Sequence, residues 1–336
     1  MNSKVVRLRW FTYSSTRRLG RMLNALGVLA LSVGAGAWGT AAAADYPTKP
    51  VTVLCWSKPG SPVDIFARTV APLLSKELGQ PVVVETKAGG SGVVAVNALL
   101  AQPPDGYTLL AATKTLTTLF SEEGVKFKLG DIQPLINSQA DPFAIIVPAS
   151  SPFKTLSDFI KYAKANPGKL KVAGPFAMGA HRIAFERLLE AAKFDATWVP
   201  YEGGGPTMVA VAGGQVDAGQ TNAGNTKALV AAGKVRIIGV AAGKRLADFP
   251  DAPTYKESGI NLEMYQWRGF VTKKGVPQPV VDKLVAALRK VQQTPEFQAY
   301  LKKVSQLDLF QPPAEFAKVI VQGAKDVTEI KKRLGL

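Results

Sequence analysis

Short apolar runs rich in β-branched residues alternate with amphipathic stretches from residue 51 to residue 334, and nothing else constrains the fold of this chain as strongly. Val51–Trp56 reads as a strand ending in the turn Ser57-Lys58-Pro59-Gly60. Ser61 then stands as an N-cap, Pro62 occupies the first helical position and Asp64 follows three residues after the cap, so the pattern predicts a helix that Gly79 ends. The rhythm repeats with strands at Gln80–Glu85, Tyr107–Ala112, Pro142–Pro148, Leu170–Ala173, Thr197–Val199, Val216–Gln220 and Val235–Ala241. Helices fall between them, among them His181–Ala192 and one opened by the Thr155/Asp158 capping box. A long strand at Glu263–Thr272 precedes three helices, Pro277–Gln293, Pro295–Val304 and Pro313–Leu334. Such alternation implies an α/β protein whose mostly parallel sheets carry helices on both faces.

Several chemistries have no material here. One cysteine, Cys55, excludes an intramolecular disulfide, and with a single histidine, His181, no metal site or other cofactor is expected. A hydrolase would need a nucleophile beside a base, yet the histidine follows a glycine-rich turn and no G-x-S-x-G occurs, so the chain is not expected to be an enzyme. The formal charge of +16 raises nucleic acid as a partner. Lys4, Arg7, Arg9, Arg17, Arg18 and Arg21 account for part of it, without any acid among the first 44 residues. The rest is scattered over predicted helix faces, with no basic run interleaved with aromatics, and no nucleic-acid partner is expected.

The basic start, the apolar Met22–Trp38 and the tract Ala41-Ala42-Ala43-Ala44 have the layout of a secretory signal cut near Ala44, so the mature chain should begin close to Asp45. No later segment approaches the roughly 20 apolar residues of a membrane span. In open α/β sheets, ligands bind beyond the carboxyl ends of strands, where helix N-termini favour anions. Ser57–Ser61, Ala88–Gly92, Gly174–Gly179, Gly203–Gly205 and Thr221–Gly224 are glycine- or serine-rich turns at such places, and none has a nucleotide-binding spacing.

Asp45-Tyr46-Pro47-Thr48-Lys49-Pro50-Val51, Lys58-Pro59-Gly60-Ser61-Pro62-Val63-Asp64, Lys87-Ala88-Gly89-Gly90-Ser91-Gly92, Pro104-Asp105-Gly106-Tyr107 and Gly213-Gly214-Gln215-Val216-Asp217 occur in an order that resembles the Bug (TctC-like) family. These are extracytoplasmic solute receptors of tripartite tricarboxylate transporters. The resemblance covers residues 45–336 and implies a type II periplasmic-binding fold, two α/β lobes joined by two crossing strands that close on a small carboxylate. It places the crossings at Pro142–Pro148 and Glu263–Thr272, giving a signal at 1–44, a discontinuous first lobe at 45–147 and 268–336, and a second lobe at 148–267. It further implies a periplasmic protein, expected to be a monomer, that hands its ligand to membrane permease subunits. A receptor presenting ligand to a membrane sensor kinase would use the same lobes and stays open.

By the same resemblance, backbone N–H groups of two strand-to-helix loops hold the ligand carboxylate. They map to Ser57, Lys58, Gly60, Ser61, Pro62 and Asp64 in the first lobe, and to Met178, Gly179, His181 and Arg182 in the second. Thr113, Lys114 and Thr115 stand where the family often has Thr-Asn-Gly, and Thr221 and Asn222 stand where it often has an acid. Lys58 and Lys114 are thus two cations in loops that are usually uncharged. With Arg182 they point to a second anionic group and hence a dicarboxylate, an aromatic one remaining open if Trp56 or Trp267 stacks on it. Each also has a plainer reading: lysines solvated in loops, His181 capping or packing, Asp64 capping its helix, and the tryptophans buried near the hinge.

Overall fold

A computed structural model describes residues 46–122 and 124–336; the expected signal at 1–44 lies outside the described residues. The elements in chain order are β1 (Val51–Cys55), α1 (Pro62–Leu78), β2 (Val82–Thr86), α2 (Val93–Leu100), β3 (Thr108–Thr113), α3 (Thr115–Leu119) and β4 (Ile132–Pro148). Next come α4 (Leu156–Ala165), β5 (Lys171–Pro175), α5 (Ala180–Ala192), β6 (Thr197–Tyr201), α6 (Gly204–Ala212), β7 (Ala218–Asn222), α7 (Lys227–Ala231) and β8 (Val235–Val240). The last are β9 (Tyr265–Lys273), α8 (Gln278–Gln293), α9 (Pro295–Lys303), β10 (Leu307–Gln311) and α10 (Pro313–Leu334).

Two sheets share one strand. The first runs β2-β1-β3-β9-β4-β10, and the second runs β6-β5-β7-β4-β8. β4 pairs with β9 through Pro142 and with β7 and β8 from Phe143 onward, so it passes from one sheet to the other at Asp141–Phe143. The strand expected at Pro142–Pro148 is therefore only the second half of a longer one, and that half belongs to the second sheet. Parallel pairing holds for β1 with β2 and β3 and for β5 with β6 and β7. Every pairing of β4 is antiparallel, as is that of β3 with β9. The sheets are thus mixed, because the strands that join them must run both ways between the lobes.

Alternation along β9 divides the first sheet's faces. Trp267 points to one face, where its ring meets Phe316 of α10 at 4.9 Å; Phe270 points to the other and stacks on Phe66 of α1 at 5.0 Å. Trp267 is accordingly a core residue, not a wall for a ligand. The second sheet is covered by α4 and α5 on one face and by α6 and α7 on the other. Helix α10 serves both lobes. Phe316 and Ile320 pack in the core of the first sheet, whereas Val327 and Ile330 pack in that of the second. Ion pairs tie it to α5, Arg187 to Asp326 at 2.7 Å and Glu186 to Arg333. Among the described residues, no helix is long and apolar enough to cross a membrane.

Candidate functional site

A cleft of about 1260 Å³ opens at the carboxyl ends of the parallel strands, with residues of both sheets on its walls. One wall is the start of α1. The Ser61 hydroxyl accepts the Asp64 N–H at 3.4 Å, and the Asp64 carboxylate accepts the Gly60 N–H at 2.9 Å and the Arg68 Nε–H at 2.9 Å. Asp64 therefore reaches the residue before the cap, closing the loop on itself instead of completing a reciprocal box. Burial works to raise its pKa, but the hydrogen bonds from Arg68 and Gly60 prevail and hold it below the usual carboxylate range. Ser57, Ser61 and Pro62 face the cleft, with Trp56 beside them. Gly60 and Asp64 form the loop's inner brace, and Lys58 is exposed.

The opposite wall is the start of α5. Its N-cap is Gly179, at φ 149° where side chains are strained, and no side chain caps the helix or places an acid in its first turn. Helix α6 begins the same way at Gly203. Met178, Gly179 and His181 line the cleft. His181 Nε2 lies 2.9 Å from Asn222 Oδ1, while Asn222 Nδ2 donates to the Asp141 carbonyl at 2.8 Å. The amide orientation set by that second bond makes Nε2 the protonated ring nitrogen. Burial pushes the imidazole down to about 4 against the opposing effect of Asn222, so it is neutral at pH 7. Edge contact with Phe143 at 5.1 Å fixes the ring. His181 thus packs and lines the cleft at once.

Of the remaining residues expected at the site, Thr113, Thr115 and Asn222 line the cleft, whereas Lys114, Arg182 and Thr221 do not. Lys114 precedes α3 and turns inward, 8% exposed, its Nζ 5.9 Å from the Phe143 ring centre. Burial pushes its ammonium down to about 8, with Asp326 holding it up and Arg187 pressing it lower. Arg182 pairs with Glu186 and lies 5.2 Å over the Trp198 ring. Thr221 is buried in β7. Of the cations on which the dicarboxylate expectation rested, Arg182 is therefore paired elsewhere, Lys114 turned inward and Lys58 exposed.

Sequence reasoning missed Arg268, Gln266 and Gln306, all on the cleft wall. Arg268 is 6% exposed and donates from Nη1 to Gln306 Oε1 at 2.7 Å. A single charge between Trp267 and Gly269-Phe270-Val271 was the available signal, since a charge inside an apolar strand needs a partner or a task. Among the described residues, no cluster of acids, histidines or cysteines is arranged to hold a metal.

Comparison with known proteins places this geometry. A protein encoded in the gbd 5′ region of Cupriavidus necator is 33% identical over 91% of this chain and 94% of its own length. A TctC solute-binding protein from Polaromonas superposes with a TM-score of 0.78 at 25% identity, over 85% of this chain and 99% of the other. MatC from Rhodopseudomonas palustris, solved with bound malate, gives 0.67 at 26% identity over the same shares. The family described as tripartite tricarboxylate transporter family receptor matches residues 66–336, and the chain belongs to that family, whose members are periplasmic binding proteins and not enzymes.

Proposed function

We propose that the protein captures a small carboxylate, a dicarboxylate by preference, in the cleft between its lobes and delivers it to the membrane permease subunits of a tripartite transporter. One observation carries this reading: the starts of α1 and α5, helices of different sheets, border the same cleft, and the α5 start has no side-chain cap on its N–H groups. Ser57, Ser61, Pro62, Thr113, Thr115, Met178, Gly179, His181 and Asn222 are the proposed contact residues. The malate held by the relative MatC supports a diacid. In this reading the mature protein, freed of residues 1–44, works as a periplasmic monomer. Its lobes rotate about the crossing at Asp141–Phe143 and the start of β9 to enclose the ligand, because closing on an empty cleft would bury the α5 amides unpaired, at about 1–3 kcal/mol each.

Native mass spectrometry of the protein isolated from periplasmic extract tests this. A retained carboxylic acid, released on unfolding and compacting the protein when added back, is the expected result. A protein that retains and binds no organic acid overturns the reading.

A further inference from the structure

We propose that Arg268 is the residue that selects dicarboxylates, by pairing with the ligand's second carboxylate at the junction of the two sheets. The inference rests on the carboxylate reading above and assigns its specificity. Arg268 sits opposite Thr113, the last residue of β3, and opposite Gln139 of β4, so strand pairing puts it where parallel strands end and the cleft begins. The register of β4 against β9 shifts between Asn137 and Gln139, the mark of a bulge. Such irregularities re-aim neighbouring side chains. Gly269 accommodates it: a Cβ there would lie 2.2 Å from the Ile136 carbonyl oxygen, so the backbone beside Arg268 is confined to one arrangement.

The guanidinium is oriented by a chain of side chains. Gln306 accepts from Nη1 through Oε1 and donates through Nε2 to Asp141 Oδ2 at 3.2 Å, which fixes the amide's sense. With Nη1 engaged, the Nε–Nη2 edge is left for another acceptor, and Nε is buried without a protein partner. That edge matches a carboxylate in two-pronged geometry. Asp141 offsets that charge only in part, since burial pushes its carboxyl up to about 7 despite the Arg268 charge. Two other cations reach the cleft. Lys227 is paired with Asp248 at 3.1 Å and Lys303 is exposed, which leaves Arg268 as the buried cation of the wall among the described residues. A monocarboxylate would leave a buried N–H donor unmatched, and selectivity follows from that penalty.

The test is calorimetry with acids matched in length and differing by one carboxylate: succinate against butyrate, adipate against hexanoate, terephthalate against benzoate. In at least one pair the wild type should prefer the diacid by about 30-fold or more. Arg268→Met should remove that preference by weakening the diacid about 30-fold while shifting its partner less than about threefold, and Arg268→Lys should recover part of it. Should Arg268→Met fail to fold, Gln306→Met keeps the charge and loosens only its orientation, so the diacid should weaken about threefold to tenfold and the monoacid hold. Equal losses for both members of a pair, no loss for either, or a wild type that prefers monoacids would overturn the assignment while leaving a carboxylate receptor in place. Binding of no acid by the wild type overturns the carboxylate reading and the assignment together.

Discussion

The two helix starts that face each other across the cleft solve the same electrostatic problem in opposite ways. At α1 the third helical position is Asp64, a buried acid that takes up the Gly60 N–H and the Arg68 guanidinium; at α5 the same position is Arg182, bound to Glu186 one turn on. Ser61 caps the first helix, and Gly179 leaves the second without a side-chain cap. The α1 start is thus assembled by its own side chains before any ligand arrives, whereas the α5 start keeps its donors and its positive end available. An anion is expected to draw most of its affinity from the second lobe and to find in the first a rigid wall.

The largest expected effect concerns His181. Its folded-state pKa of about 4 lies below the ordinary value of 6.5, so the unfolded chain takes up a proton first as the pH falls. The stability it contributes is complete above pH 6.5 and is lost between there and about pH 4, up to about 3 kcal/mol. Urea unfolding of the wild type and His181→Gln across that window should show the wild type falling and the variant flat by comparison. Parallel curves would mean that the ring is not enclosed. Next is Asp64→Ala, which strips the α1 loop of its brace and should cost about 2 kcal/mol. Because the Asp64 pKa is depressed, its contribution is present above the ordinary carboxylate pKa and fades as acid brings the pH down through the folded value. A melting temperature unchanged at pH 7 would contradict the brace. Arg182→Asp gives α5 the acid that α1 already has, and calorimetry with the retained acid should show binding weakened about tenfold. If affinity holds, the α5 start is not where the anion sits. The smallest effect is expected of Lys58→Met, with affinity within about threefold of wild type, since the side chain is exposed in its loop. A larger loss would return Lys58 to the site and make the α1 wall a full partner.

What the sequence disclosed and what it hid divide along the range of the interactions involved. Caps and turns are local. Ser61 with Pro62, Thr155 with Asp158 and the prolines opening the late helices set boundaries that the fold keeps almost residue for residue. The first half of β4 was not legible, because Asn137, Ser138, Gln139 and Asp141 are polar yet buried, and a strand that fills the junction between two sheets shows no alternation. β10, short and half-buried, pairs with that same stretch and was missed with it. Lys114 and Lys58 look alike as loop cations, but one is enclosed and the other exposed, and the groups that Lys114 feels inside, the Phe143 ring and the charges of Arg187 and Asp326, come from farther along the chain. Arg268 reaches the cleft only through a register set more than a hundred residues away in β3 and β4.

Helix α10 bears on how the molecule can be made. Its 22 residues contribute Phe316 and Ile320 to one core and Val327 and Ile330 to the other, and they follow the strands of both sheets in chain order. A polypeptide that emerges amino end first therefore has the strands of both sheets in hand while each still shows water the apolar face that this helix will cover. Neither half can be finished early and shielded while its partner waits, as independent domains can. Both are sealed by the same segment, its first half closing one core and its second half the other, so a nascent chain stays open to proteases and to self-association until this helix has been made.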